Sequence, residues 1–488
     1  MAGQAGNTPS EGCSEPLRLT DLPDECLVQI FGQLSIKERC RSVAPVCQHW
    51  RALCASPDLL RTVDISAWLN HDGHRHYSAA LPHCMRSLFP WLHRHAAPHV
   101  QRLSLSLQAP YRRNDYDSLQ DQPGLLAEEQ AVMAELPQAL LGLLATACAA
   151  GRLHELSLDI GNMQVHLGPW LLPAASTLRS LRVHQDCVDL AVPAAAGLHG
   201  LTALQELSLS VEAGDLLFEP GCRLPSQSLT LLELNVNNCS SDPWLPAQEL
   251  SALSALHTLH LYGPFATSSF EVLAGLPSLR CLRMHDCLAL PRCLSELTRL
   301  SELSVCQDLS HLRQTAAQQQ QADESLPFLS EGVAELCHLT SLQLRVSDSL
   351  SISTLPADLG DSLPLLRRFA WIGKAEDEGQ LPSGMAHLRA AALPSAVAER
   401  SMARLAAGAR LEQLGLYDAD FYSSGQPPPG ERRQQLHALA LRVVRQLPSL
   451  RRLELTLAGQ ELEYASAAAK GVAPALNLDR FCLSYWWD

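Results

Sequence analysis

The sequence predicts an α/β chain in which a short N-terminal helical module precedes a solenoid of strand-and-turn repeats. Three observations carry this reading. A leucine pattern, L-x-x-L-x-L, recurs along most of the chain. The stretch ahead of it has helical periodicity. The chain's 488 residues exceed what one hydrophobic core organises, and 47% hydrophobic content with only 5% aromatics points to an extended interior filled by leucine and alanine.

The helical module is expected within residues 22–60, LPDECLVQIFGQLSIKERCRSVAPVCQHWRALCASPDLL. Leu27, Ile30, Phe31 and Leu34 fall at i, i+3, i+4 and i+7, one face of a helix. Pro23 suits a first turn, where a missing N–H costs nothing, and Asp24 and Glu25 follow where the helix dipole favours negative charge. Gly32 weakens this helix, and Ser35 is placed to cap a second one from Ile36. Pro45 breaks the second helix and opens a third, which carries Val46, Cys47, Trp50, Leu53 and Cys54. A unit of about 40 residues has too little core to be stable alone and needs a partner surface or the repeats behind it.

The order Leu22-Pro23, Ile30-Phe31, Leu34, Val46-Cys47 and Trp50-Arg51 resembles the F-box, a three-helix module that docks onto the Skp adaptor of cullin–RING ubiquitin ligases. The resemblance implies that Leu22, Pro23, Ile30, Phe31, Leu34, Val46, Cys47 and Trp50 are adaptor-contact candidates. Some of them must instead be the module's own core. The alternative is an ordinary helical cap on a repeat domain.

The repeat is clearest at Leu153/Leu156/Leu158, Leu178/Leu181/Val183, Leu204/Leu207/Leu209, Leu229/Leu232/Leu234 and Leu256/Leu259/Leu261. It continues at Leu279/Leu282/Met284, Leu300/Leu303/Val305, Leu339/Leu342/Leu344, Leu366/Phe369/Trp371, Leu411/Leu414/Leu416 and Leu450/Leu453/Leu455. Weaker copies are Leu60/Val63/Ile65, Val100/Leu103/Leu105, Leu388/Ala391/Leu393 and Leu478/Phe481/Leu483. Most neighbours lie about 21–28 residues apart, the range of leucine-rich repeats. Alternation places the leucines on one face of a short strand. One unit cannot bury that row, whereas stacked units bury it in a parallel sheet along the concave side of a solenoid. Helices or turns are expected on the convex side, at Leu136–Ala150, Glu271–Leu276, Ala396–Ala407 and Leu436–Gln446. Asn237 and Cys287 stand where such repeats place a residue that bonds the turn backbone. The predicted organisation is a disordered segment over 1–16, an F-box over 17–60, and leucine-rich repeats over 61–488. Loop insertions are expected near 108–125, 311–328 and 418–435. Tyr485, Trp486 and Trp487 are expected to cover the open end of the last repeat.

Several function classes are disfavoured. A net charge of −14 argues against nucleic-acid binding. The first 16 residues lack the charged start and apolar run of a signal peptide, and no apolar stretch reaches transmembrane length. The 16 cysteines lack C-x-x-C pairing and read as reduced, packed thiols of an intracellular protein. Seven of the 19 histidines fall within residues 71–99, at His71, His74, His76, His83, His93, His95 and His99. Their spacing matches no closed zinc site, so no metal is expected. No phosphate-binding, zincin or nucleophile-elbow motif is present, and neither an enzyme nor a cofactor is expected.

The outward strand positions are where a repeat sheet contacts a ligand. Those of the middle and late repeats include His260, Tyr262, Arg283, His285, Arg345, Arg368 and Tyr417, a basic and aromatic set suited to an acidic or phosphorylated protein target. Arg283 and Arg345 are read as the same position of strands two repeats apart, hence about 10 Å from each other. An F-box ahead of leucine-rich repeats resembles the substrate receptors of Skp–cullin–F-box ligases. That implies a non-catalytic subunit of the cytoplasm or nucleus whose partners are a Skp-type adaptor, through it a cullin–RING ligase, and a target protein. The rival expectation is a repeat scaffold of the cytoskeleton or axoneme with a vestigial F-box.

Overall fold

The computed structural model describes residues 19–65, 88–106, 135, 138–160, 167–185, 198–211, 223–225, 227–236, 250–263, 265, 270–285, 293–307, 332–346, 355–372, 379–385, 387–407, 410–417, 430–457 and 460–461. The chain divides into two compact units, Met1–Leu153 and His154–Asp488.

The first unit opens with three short helices. Helix α1, Asp24–Gly32, carries Asp24 and Glu25 in its first turn, with Pro23 at its N-cap. Helix α2, Ile36–Glu38, runs on into a wider π-turn at Arg39–Val43. Its N-terminus is held by a reciprocal capping box. The Ser35 hydroxyl accepts from the Glu38 N–H at 3.2 Å, and the Glu38 carboxylate accepts from the Ser35 N–H at 2.8 Å. Helix α3, Gln48–Cys54, begins three residues after Pro45. Pro45 therefore ends the second helix but does not open the third. Cys47 starts α3, its Sγ accepting from the Trp50 N–H at 3.4 Å. Leu27, Phe31, Val43, Cys54 and Leu59 form the buried cluster between the helices. Strands β1, Thr62–Asp64, and β2, Arg102–Ser106, pair in parallel with Val63 opposite Leu103. The helix expected over 136–150 is seen at 138–149, burying Leu140, Leu143, Leu144, Ala147 and Cys148.

The second unit is built on one sheet. Its strands are β3 Glu155–Asp159, β4 Ser180–Gln185, β5 Glu206–Val211, β6 Leu231–Val236, β7 Thr258–Tyr262, β8 Cys281–His285 and β9 Glu302–Gln307. They continue as β10 Ser341–Val346, β11 Arg368–Ile372, β12 Ala390–Pro394, β13 Gln413–Tyr417 and β14 Arg452–Leu457. Each pairs in parallel with the next. A last short strand, β15 Gln460–Glu461, turns back antiparallel on β14.

The register explains the sequence period. Leu156, Leu181, Leu207, Leu232, Leu259, Leu282, Leu303, Leu342, Phe369, Ala391, Leu414 and Leu453 lie opposite one another in turn, all buried. Two residues on, Leu158 to Leu416 form a second buried row that includes Trp371. Where β11 carries Phe369, its neighbour in β12 carries Ala391, so a large side chain is matched by a small one.

Among the described residues, the segments between strands hold helices and turns. They include Glu271–Gly275, Ser395–Arg400, Met402–Ala407 and Gly430–Gln446. The last of these reaches back to residue 430, so the loop expected over 418–435 ends in helix. The rest of that loop, the insertions near 108–125 and 311–328, the 1–16 segment, Asn237, Cys287, the repeat at Leu478/Phe481/Leu483 and Tyr485–Trp487 lie outside the described residues.

Leu259 sits mid-column with no solvent exposure. Leu259→Asp places an unpaired carboxylate among leucines and is expected to cost roughly 4 kcal/mol or more. Urea unfolding followed by circular dichroism measures this; a loss below about 1 kcal/mol contradicts the buried-column reading.

Candidate functional site

Two surfaces stand out, one on each unit. On the helical module, the residues expected to contact an adaptor fall into two sets. Phe31 is 2% exposed, and the Trp50 ring packs edge-on against it at 5.2 Å. Leu22 and Leu34 are partly buried against the same cluster. Of these four, Phe31 belongs to the core and the other three pack against it. Ile30 is 42% and Val46 58% exposed, and Pro23 and Cys47 are also at the surface. Ile30 therefore leaves the apolar face that periodicity assigned to it. The sequence reading missed Leu19, a further large apolar residue, 51% exposed. It also missed Arg39, buried in the module with its Nη1 donating to the Leu59 carbonyl at 2.8 Å. Burial lowers the Arg39 pKa. An exposed His49–Asp24 pair at 2.8 Å ties α3 to α1.

In the second unit the outward side chains of β7 to β11 gather into one cluster. The alternation that buries leucine turns Cys281, Arg283 and His285 of β8 to the opposite face. Register puts His260 opposite Arg283 and Tyr262 opposite His285. The Tyr262 and His285 rings stack at 4.7 Å and 22°, and His260 meets Tyr262 edge-on at 6.4 Å. Strand β7 gives way at once to Gly263. Its φ is +126°, and a Cβ there would lie 2.1 Å from the Val236 carbonyl oxygen. The chain therefore leaves β7 at glycine, with the Gly263 N–H donating to the His285 carbonyl at 2.8 Å.

The electrostatics follow from crowding. Burial pushes the pKa of His260 down to about 4, with Arg283 and His285 adding to the shift. His285 is likewise lowered to about 4 by burial, then by Arg283 and Arg345. Both rings are neutral at pH 7. Burial raises the Cys281 thiol to about 11, and Glu302 adds to it. That thiol lies 3.7 Å from the Glu302 carboxylate, which in turn pairs with Arg368 at 2.9 Å. Cys281 and Glu302 were missed because no motif marks them; both occupy the outward position just before the strand's first leucine.

Two expectations need correction. Arg345 does not share the position of Arg283. Register sets Arg283 opposite Ser304 and then Gln343, while His285, Cys306 and Arg345 form the next outward row. The sequence already held this: Arg345 follows the third apolar residue of its repeat, whereas Arg283 precedes it. Tyr417 is not available for contact. It is 2% exposed, and its hydroxyl donates to the Trp371 carbonyl across β12. The outward face there is closed, since Ala370, Ile372, Ala390, Ala392 and Pro394 are also buried.

Of the seven clustered histidines, His93, His95 and His99 are described. His93 Nε2 is 2.7 Å from the Thr146 hydroxyl, and His95 packs on Trp91 at 5.5 Å. The other four lie outside the described residues. Among the described residues no helix is long and apolar enough to cross a membrane.

Comparison with known proteins gives one family match and several similar solved structures. Residues 19–66 match the F-box-like family. Among solved structures the chain is similar to a leucine-rich-repeat protein of Leptospira interrogans, with 16% identity over 70% of this chain and 80% of that one, TM-score 0.35. It is similar to an internalin of Listeria monocytogenes, with 16% identity over 57% and 80%, TM-score 0.27. The leucine-rich-repeat ectodomain of a plant membrane receptor kinase from Arabidopsis thaliana is 15% identical over 64% and 34%, TM-score 0.31. The chain thus carries an F-box-like domain at residues 19–66, followed by a leucine-rich-repeat solenoid.

Neutral His260 and His285 make stability pH-dependent. Their folded pKa values near 4 lie below the ordinary 6.5, so between those values the unfolded chain binds more protons. Stability is therefore expected to fall as pH drops from 6.5 towards 4. In urea titrations the His260→Gln/His285→Gln variant should lose less over that window than the parent. Equal slopes would mean that the two rings are not held neutral.

Proposed function

We propose that the protein is a non-catalytic substrate-recognition subunit of a Skp–cullin–F-box ubiquitin ligase, acting in the cytoplasm or nucleus. The observation that carries this is the surface of the F-box-like domain. A module of about 40 residues with a small core still leaves Leu19, Ile30 and Val46 in solvent, beside Pro23 and Cys47. Large apolar side chains concentrated on so small a unit are what a partner would cover. The Skp-type adaptor is that partner, and the cullin–RING ligase is recruited through it.

The repeats then hold the target. His260, Tyr262, Arg283, His285, Arg345 and Arg368 supply rigid aromatic and guanidinium groups on one face of a stiff sheet, the residue types that anchor interfaces. Acidic or phosphorylated segments match their chemistry. The mechanism is proximity: tethering raises the effective concentration of target lysines beside the charged ubiquitin carrier. No bond is made or broken by this chain.

Ile30→Asp together with Val46→Asp should lower adaptor affinity at least about tenfold in a pull-down with purified Skp-type adaptor, and the melting temperature should hold, because both side chains are already exposed. A chain starting at residue 67 should bind no adaptor; undiminished binding by it sinks the assignment.

Arg283→Glu with Arg345→Glu should remove target proteins captured by proximity labelling and leave adaptor binding intact. If every partner is retained, recognition does not use this face.

A further inference from the structure

A second cationic surface lies at the edge of the sheet where the chain enters the late strands. The residues preceding β12, β13 and β14 are stacked by their backbones. The Arg389 N–H donates to the Arg367 carbonyl at 2.8 Å, Glu412 to Arg389 at 2.7 Å, and Arg451 to Glu412 at 2.7 Å. Arginine, glutamate and arginine thus follow one another at the strand spacing of about 4.8 Å. Arg410 stands two residues ahead of Glu412 in the same turn. Together they line a cleft of about 470 Å³ whose remaining wall includes Pro448 and Leu450. Ser449 also lines it, but its hydroxyl is spent on the Leu411 carbonyl at 2.9 Å.

The charges are unbalanced. Three arginines and one glutamate line the cleft, on a chain whose net charge is −14. Among the described residues no ion pair engages Arg389, Arg410 or Arg451. Like charges around a concavity focus a field that an anion relieves. The excess of two positive charges matches a phosphate monoester, which carries about −1.5 to −2 near neutral pH. Arginine's planar fork also suits phosphate better than a point charge does. The volume exceeds a lone phosphate several-fold, which leaves room for the residues flanking a phosphorylated side chain against Pro448 and Leu450. Glu412, set between the arginines, disfavours a run of acidic residues and favours one dianion with neutral neighbours.

We propose that this cleft binds a phosphorylated serine or threonine side chain within a polypeptide segment. The site shares no residue with the outward cluster on β7 to β11.

The test uses the full chain and a fluorescein-labelled pentapeptide of phosphoserine flanked by alanines, followed by fluorescence anisotropy. Saturable binding is expected, at least about tenfold tighter than that of the unphosphorylated peptide, and displaced by excess inorganic phosphate. Arg389→Gln with Arg451→Gln should weaken it at least about tenfold at unchanged melting temperature, since both side chains are exposed. Glu412→Gln should tighten it. The Arg283→Glu/Arg345→Glu chain should bind the peptide as the parent does, which separates this site from the outward one. Any one of three results overturns the proposal: no saturable binding, equal binding of the unphosphorylated peptide, or affinity unchanged by the double cleft substitution.

Discussion

The parallel register of β3 to β14 is the constraint on which the second unit depends. Because each strand aligns with the next without slippage, one repeat position becomes one column, and a leucine at that position contacts leucines on both sides. Burial along the column is cooperative: a repeat at the end of the row buries its leucine on one side only. The same register fixes the opposite face. Tyr262 stacks on His285, and Arg283 approaches His260, because backbone hydrogen bonds leave them nowhere else to point.

This division of labour governs what was legible in the residues. Period and alternation follow from burial, so the leucine columns and their strands could be read directly, even at Ala390–Pro394, where the repeat is weak. The helical module was legible through its turn chemistry, Ser35 above all. The partition of its apolar residues was not. Ile30 and Phe31 are neighbours with the same character, and only the packing of α1 against α3 sends one inward and the other out. Tyr417 fails for a related reason. Alternation states which face a side chain takes, but not whether that face is open. Around β12 small residues let the tyrosine fold down onto Trp371.

The arginine cleft was invisible for a third reason. Arg389, Arg410 and Arg451 are spread over more than 60 residues, and no linear spacing joins them. Only stacking of the turns before the strands brings them to one wall. Sites of this kind belong to the solenoid as an assembly, since the turns before three successive strands each contribute to the wall.

The pairing of Phe369 with Ala391 bears on how such an array can change length. Where leucine faces leucine, as from β5 to β7, one repeat can be copied or lost and the seam closes on the same shapes. At β11 and β12 it does not. Losing β12 alone would set Phe369 between two leucines, Leu342 and Leu414, without the space Ala391 leaves on one side, and duplicating β11 would set two phenylalanines and two tryptophans side by side in a core packed for one of each. These two repeats are therefore locked together as a unit of inheritance, while the array ahead of them is free to lengthen or shorten one strand at a time.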